Sequence, residues 1–266
     1  MRPIVDIAGN TFRAILRNKV LYLALFLLIL IVALTALPFA MVRLVGEADE
    51  QDLARQMQGN IIMRTFGMWY TATLAMAVFL GATAISSEVS ARTIVTVLAK
   101  PVERWRFLTG KWVGIQAFLH LFLAFGTLLT AGVLRLFDVR PSALFWLGIL
   151  GSFVVVTLIS SLALLLATCT SPVFAGGATV LLGLITPVIG RAVDNPSAWL
   201  RWPAQAYYYL APARAPGSML TQGLQVDLLN PEYSLYAGVI AENLLYGLGL
   251  LVLSCALFTF REVRVR

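Results

Sequence analysis

The stretch ALFWLGILGSFVVVTLISSLALLLAT, residues 143–168, holds no charged side chain. Coiled at ~1.5 Å per residue it is longer than the ~30 Å hydrocarbon layer of a bilayer. It has no polar face, so a water-soluble fold would have to hide it on every side. In a bilayer the same run satisfies its backbone groups internally as a helix and needs no polar face. Working outward, comparable apolar runs occur at 20–42, 61–86, 112–136, 173–190 and 236–260. The fifth in chain order, 173–190, is short, and Pro187 near its end predicts a short or broken span. Composition agrees: 59% of the 266 residues are hydrophobic and only 12% charged, about half the charge of a soluble domain. The expected fold is all-α, a single polytopic membrane domain over 1–266 with six transmembrane helices.

Six spans put both termini on one side, and charge selects which. With the termini inside, the inner segments carry Arg2, Arg13, Arg17, Lys19, Arg92, Lys100, Arg104, Arg106, Lys111, Arg261, Arg264 and Arg266, against Asp6, Glu88, Glu103 and Glu262. The remaining charges nearly cancel. The positive-inside bias therefore predicts cytoplasmic termini and a cytoplasmic 87–111 loop in the cytoplasmic (inner) membrane. The first apolar run follows a long basic lead and exceeds a signal-peptide core, so it reads as a span that stays. Cys169 and Cys255 form neither a disulfide framework nor a metal-ligand spacing. The outer segment 191–234 holds Trp199, Trp202 and Tyr207 to Tyr209 among prolines. Such residues favour the headgroup level, which predicts interfacial or re-entrant helices, an aqueous loop being the alternative.

Two inner segments differ from plain flanks. In 3–19, Asp6, Asn10, Arg13 and Arg17 fall on one helical stripe and Ile4, Ala8, Phe12 and Ile15 on the other. That spacing predicts an amphipathic helix lying in the inner interface. The 87–111 loop is too long for a minimal turn and is half apolar. Ile94, Val97 and Leu98 share a helical face. Pro101 ends that helix and can begin the next, which leads through Arg104, Trp105, Arg106 and Phe107 into the third span. An exposed apolar stripe here either docks in a partner's groove or packs on the membrane surface or its own bundle.

The pattern Glu88…Arg92-Thr93-Ile94…Leu98-Ala99-Lys100-Pro101-Val102-Glu103-Arg104…Phe107-Leu108…Gly110-Lys111 resembles the signature of ABC-2 type permeases, the membrane subunits of ATP-binding-cassette exporters. The permease of the nitrous-oxide-reductase maturation system is one such similar protein. Arg92 stands where the family commonly has Gly. The resemblance implies that the loop carries a coupling helix docked on a cytoplasmic ABC ATPase. It assigns coupling to Glu88, Thr93, Lys100, Pro101, Arg104 and Lys111, with Ile94 and Leu98 as the apolar contact. It also implies a second permease copy, identical or not. Membrane lipids complete the expected partners, and nucleic acid is not among them.

The chain's own chemistry fits that division of labour. The one Gly-Lys pair, Gly110-Lys111, is followed by Trp112 and lacks the earlier glycine of a phosphate-binding loop. No cofactor is expected in this chain, and ATP and Mg would be bound by the partner. A single His excludes a His-Glu-x-x-His protease, and no paired carboxylates lie in the apolar runs, so an enzyme is not expected. Glu242 and Asn243 occupy the last span. Counting back from Phe260 puts Glu242 near the outer interface, as part of an outer gate with Asn243, paired with Arg191 or Arg64, or simply hydrated. His120 reads as an interhelical hydrogen bond. Gly176, Gly177, Ala163, Ala167, Gly247 and Gly249 allow close helix approach. The expected function is the permease subunit of an ABC exporter, with an ATP-independent scaffold or secondary carrier as the alternative.

Overall fold

The computed structural model describes residues 2–17, 51–86, 103–136, 139–192, 201–203 and 233–260, plus Tyr22, Phe26, Ile29, Trp199 and Gln205. Side chains are described from Ile62 in the second helix and as far as Gly183 in the fifth. The described elements are helices: α1 (Arg2–Leu16), α2 (Gln51–Thr83), α3 (Arg104–Leu136), α4 (Ala143–Cys169), α5 (Pro172–Ala192) and α6 (Tyr233–Phe260). The all-helical membrane architecture is as expected. Among the described residues, four stretches are long and apolar enough to cross a bilayer: Ile62–Thr83, Arg104–Arg135, Ala143–Cys169 and Tyr236–Phe260. The expected span 20–42 lies outside the described residues apart from Tyr22, Phe26 and Ile29, all exposed. The apolar part of α5 described here, Pro172–Gly183, is shorter than a full crossing. Pro187 does not break α5, which continues to Ala192.

Helix boundaries follow local chemistry. Glu103 precedes α3, and its carbonyl accepts the amides of Arg106 (3.0 Å) and Phe107 (3.2 Å). Its carboxylate sits at the positive end of the helix dipole. Helix α4 begins directly after Pro141 and Ser142 and stops at Thr170, whose amide closes onto Leu166 O at 2.8 Å. Only Thr170 and Ser171 separate α4 from α5. Ser171 caps α5, its Oγ accepting the Phe174 amide at 3.4 Å, and Pro172 takes the first helical position, where no amide is needed.

Helix α4 is the centre of the bundle, packed against α2, α3, α5 and α6. Aromatic side chains fill the space beside it: Trp69 meets Phe122 at 4.8 Å and Phe125 at 5.5 Å between ring centroids. Because lipid is as apolar as leucine, helices in a bilayer associate through close packing and polar contacts. Glycines mark the tight places. A Cβ on Gly81 of α2 would lie 2.7 Å from Ser160 O and 2.8 Å from the Ala163 side chain. One on Gly126 of α3 would meet Trp69, and one on Gly247 of α6 would stand 3.3 Å from Leu158 Cα. By contrast Gly177 and Gly249 face open space.

Candidate functional site

The site begins at the two stumps of the loop that the sequence singles out. Residues 87–102 lie outside the described residues, and with them Glu88, Thr93, Ile94, Leu98, Lys100 and Pro101. Arg104 and Lys111 are described, and both belong to α3. The polar segment from Arg104 to Lys111 and the apolar span after it form one continuous helix. Thirty-three residues make ~50 Å of helix, so about 20 Å exceeds the hydrocarbon thickness. The start of α3 is therefore a rigid extension of a membrane helix.

Three contacts brace that extension. At its tip, Glu103 Oε2 accepts Trp105 Nε1 at 2.5 Å and pairs with Arg106 Nε at 3.0 Å, while the Arg106 guanidinium lies 5.4 Å from the Trp105 ring. These groups are largely exposed, so the cluster stabilises weakly and mainly sets the shape of the tip. One turn further, buried Lys111 donates from Nζ to Ala84 O at 2.8 Å, just past the C-terminus of α2. Its ammonium also lies 5.5 Å from the Phe107 ring. A cation at a helix C-terminus meets the negative end of the dipole, and burial strengthens the bond. Lys111 thus ties together the two helices that the loop connects.

The third contact is α1. Its polar stripe, Asp6, Asn10, Arg13 and Arg17, is exposed, and Ile7, Phe12, Ile15 and Leu16 pack into the core with buried Ala8. The partner is α3. A Cβ on Gly114 would lie 2.6 Å from Ala8 O and 2.8 Å from Thr11 Cβ, and one on Gly110 2.9 Å from Ile7 Cβ. The Gly110-to-Gly114 spacing removes side chains from one strip of α3 so that the α1 backbone can seat there. Rather than only resting at an interface, α1 is docked on the start of α3.

The opposite face of α3 holds α4 by side chains. Trp112 Nε1 donates to Ser161 Oγ at 2.9 Å, Gln116 Nε2 to Ser160 Oγ at 2.5 Å, and His120 Nε2 lies 3.0 Å from Thr157 Oγ1. The three hydroxyls donate back to carbonyls of α4, which leaves their oxygens free to accept. His120 is thus the interhelical contact its isolation in the sequence predicted.

The other expected pair separates. Asn243 is buried and Glu242 exposed, on adjacent faces of α6. Among the described residues no ion pair joins Glu242 to Arg64. The side chain of Arg191 lies outside the described residues. Of the small residues, Ala163 and Gly247 make close approaches, whereas the tightest, at Gly81, Gly110, Gly114 and Gly126, were not singled out by the sequence as packing positions. The Gly110-x-x-x-Gly114 spacing opposite Ala8 was the available signal.

Over residues 5–262 the chain matches the family described as ABC-2 family transporter protein. The chain belongs to the ABC-2 transporter family. Members of that family are membrane subunits that work with ABC ATPases and are not themselves catalytic. This ABC-2 chain is accordingly an integral membrane permease subunit. No curated protein matches it.

Proposed function

We propose that this chain is the transmembrane subunit of an exporter in the cytoplasmic membrane, working as a pair of permease copies with a cytoplasmic ATPase that binds ATP and Mg. The observation that carries the reading is the braced stalk: a helix longer than the bilayer, tied at Lys111 to α2 and seated at Gly110 and Gly114 against α1. In this reading the ATPase grips the 87–102 loop through Ile94 and Leu98, with Glu88, Thr93, Lys100, Pro101 and Arg104 shaping the contact. Closure of the ATPases moves the loop. Because α3 is continuous, the displacement passes into the membrane without a flexible joint, and α1 travels with it. The ladder from Trp112 to His120 carries it to α4, giving a rigid-body change between discrete states.

The test is co-purification in mild detergent followed by an ATPase assay. A nucleotide-binding subunit should accompany the tagged chain, and its ATPase should be stimulated by the permease. Ile94→Asp with Leu98→Asp should abolish stimulation while leaving expression intact. A chain that purifies without an ATPase favours the scaffold or secondary-carrier alternative, and unchanged stimulation in the double variant removes the loop from coupling.

A further inference from the structure

The contacts that seat α1 also fix its direction. Gly110 faces Ile4 and Ile7, and Gly114, one turn further along α3, faces Ala8 and Thr11. Both helices therefore advance together, from the polar extension of α3 towards its apolar span. The exposed stripe of α1 is graded along that path. Asp6 lies at the end near the tip of the extension, Asn10 follows, and Arg13 and Arg17 come last. Gly114 lies just inside the apolar run that follows Lys111, so the two cations, beyond Thr11, stand where the extension enters the membrane.

The other face of α1 is already occupied. An amphipathic helix ordinarily holds to a bilayer by sinking its apolar side among the acyl chains, with charge adding to that attraction. Here Ile7, Phe12, Ile15 and Leu16 pack into the protein core, and Ala8 is buried. Among the described residues of α1, Val5 is the one large apolar side chain left exposed, and it lies beside Asp6 at the tip end. What α1 presents at the membrane end is therefore charge. Among the described residues no ion pair engages Arg13 or Arg17. Asp6 is seven positions, ~10 Å along the helix, from Arg13 and does not neutralise it. The two arginines are one turn apart on one face, and their long stems let the guanidinium heads reach the phosphate level.

We propose that Arg13 and Arg17 form a site for the headgroup phosphate of an anionic phospholipid in the leaflet at this end of the bundle. Charge, rather than insertion, then holds α1 to the membrane. The grading favours a lipid over a protein partner. A cytoplasmic protein would approach from the tip, where Asp6 and Val5 stand, whereas the cations lie at the bilayer end. The site needs neither an ATPase nor a second copy.

The test uses the tagged full chain, immobilised in mild detergent and stripped of lipid. It is titrated with dioleoyl phosphatidylglycerol or dioleoyl phosphatidylcholine, each carrying a fluorescent tail. The anionic lipid should bind about tenfold more tightly than the zwitterionic one. Arg13→Gln with Arg17→Gln should erase that preference. Arg13→Lys with Arg17→Lys retains both charges and should retain it. Arg64→Gln, which removes an exposed cation at the far end of α2, should leave it unchanged. No preference in the parent chain, or a preference intact in the glutamine pair, would overturn the proposal. A lysine pair without the preference would show that charge is not what holds the lipid, and would overturn it too. Full displacement of the lipid by about 10 mM inorganic phosphate would mark a site for the free anion and overturn the lipid assignment.

Discussion

Helix α3 is held on two faces by opposite means. Towards α1 it offers an absence of side chains at Gly110 and Gly114, so that backbone meets backbone. Towards α4 it offers long polar side chains, Trp112, Gln116 and His120, which reach hydroxyls. The first seam depends on dispersion at short range, which is lost steeply with separation. The second depends on directed bonds, each worth about 1 kcal/mol or less in a membrane protein, whose loss can be absorbed locally. The glycine seat should therefore be brittle and the polar ladder tolerant.

The largest effect is expected at the seat. Gly114→Leu forces a side chain against the Ala8 carbonyl, a backbone atom that cannot rotate away. Overpacking of this kind should destabilise by about 3 kcal/mol and release α1. Thermal melting in mild detergent should show the loss, and trypsin should cut after Arg13 and Arg17 faster. Unchanged melting and cleavage would break the comparison.

Next comes Lys111→Met, which keeps the stem and removes the buried charged donor. It strips the Ala84 carbonyl of this bond and should cost about 2 kcal/mol by the same melting assay. Smaller still is Gln116→Leu. Gln116 Oε1 is buried without a partner, and Ser160 keeps its bond to Thr157 O. Removing the amide therefore also removes an unmet acceptor, and the net change should stay within about 1 kcal/mol. A loss above ~2 kcal/mol would show that the ladder acts as a unit. The last variant has the opposite sign. Gly9, in α1 itself, has open space where a Cβ would go, so Gly9→Ala should stabilise by up to ~1 kcal/mol through helix propensity alone. A destabilising Gly9→Ala would show a contact on the exposed stripe.

Much of this architecture was legible because bilayer thickness acts on composition directly. The uncharged run 143–168 became α4 almost residue for residue, and the Asp6–Arg17 stripe is the exposed face of α1. Helix ends were harder. Helix α2 starts at Gln51, well before the apolar run at 61, because Gln, Met, Ala, Leu and Arg continue a helix in water as readily as in lipid. The partner of α1 was not legible, since a glycine signals close approach without naming what approaches. Register was hidden for the same reason: which turn of α4 stands level with Glu242 follows from the Gly247–Leu158 contact, and nothing local to Glu242 encodes it. Gly110-Lys111, which fails as a phosphate loop, provides part of the seat and the clamp instead.

The two-residue joint between α4 and α5 leaves almost no slack. Thr170 and Ser171 are both committed to bonds that finish one helix and start the next. Whatever tilts α4 must swing α5 with it, so the smallest mobile part at this end of the bundle is a helical hairpin, and a single sliding rod is excluded.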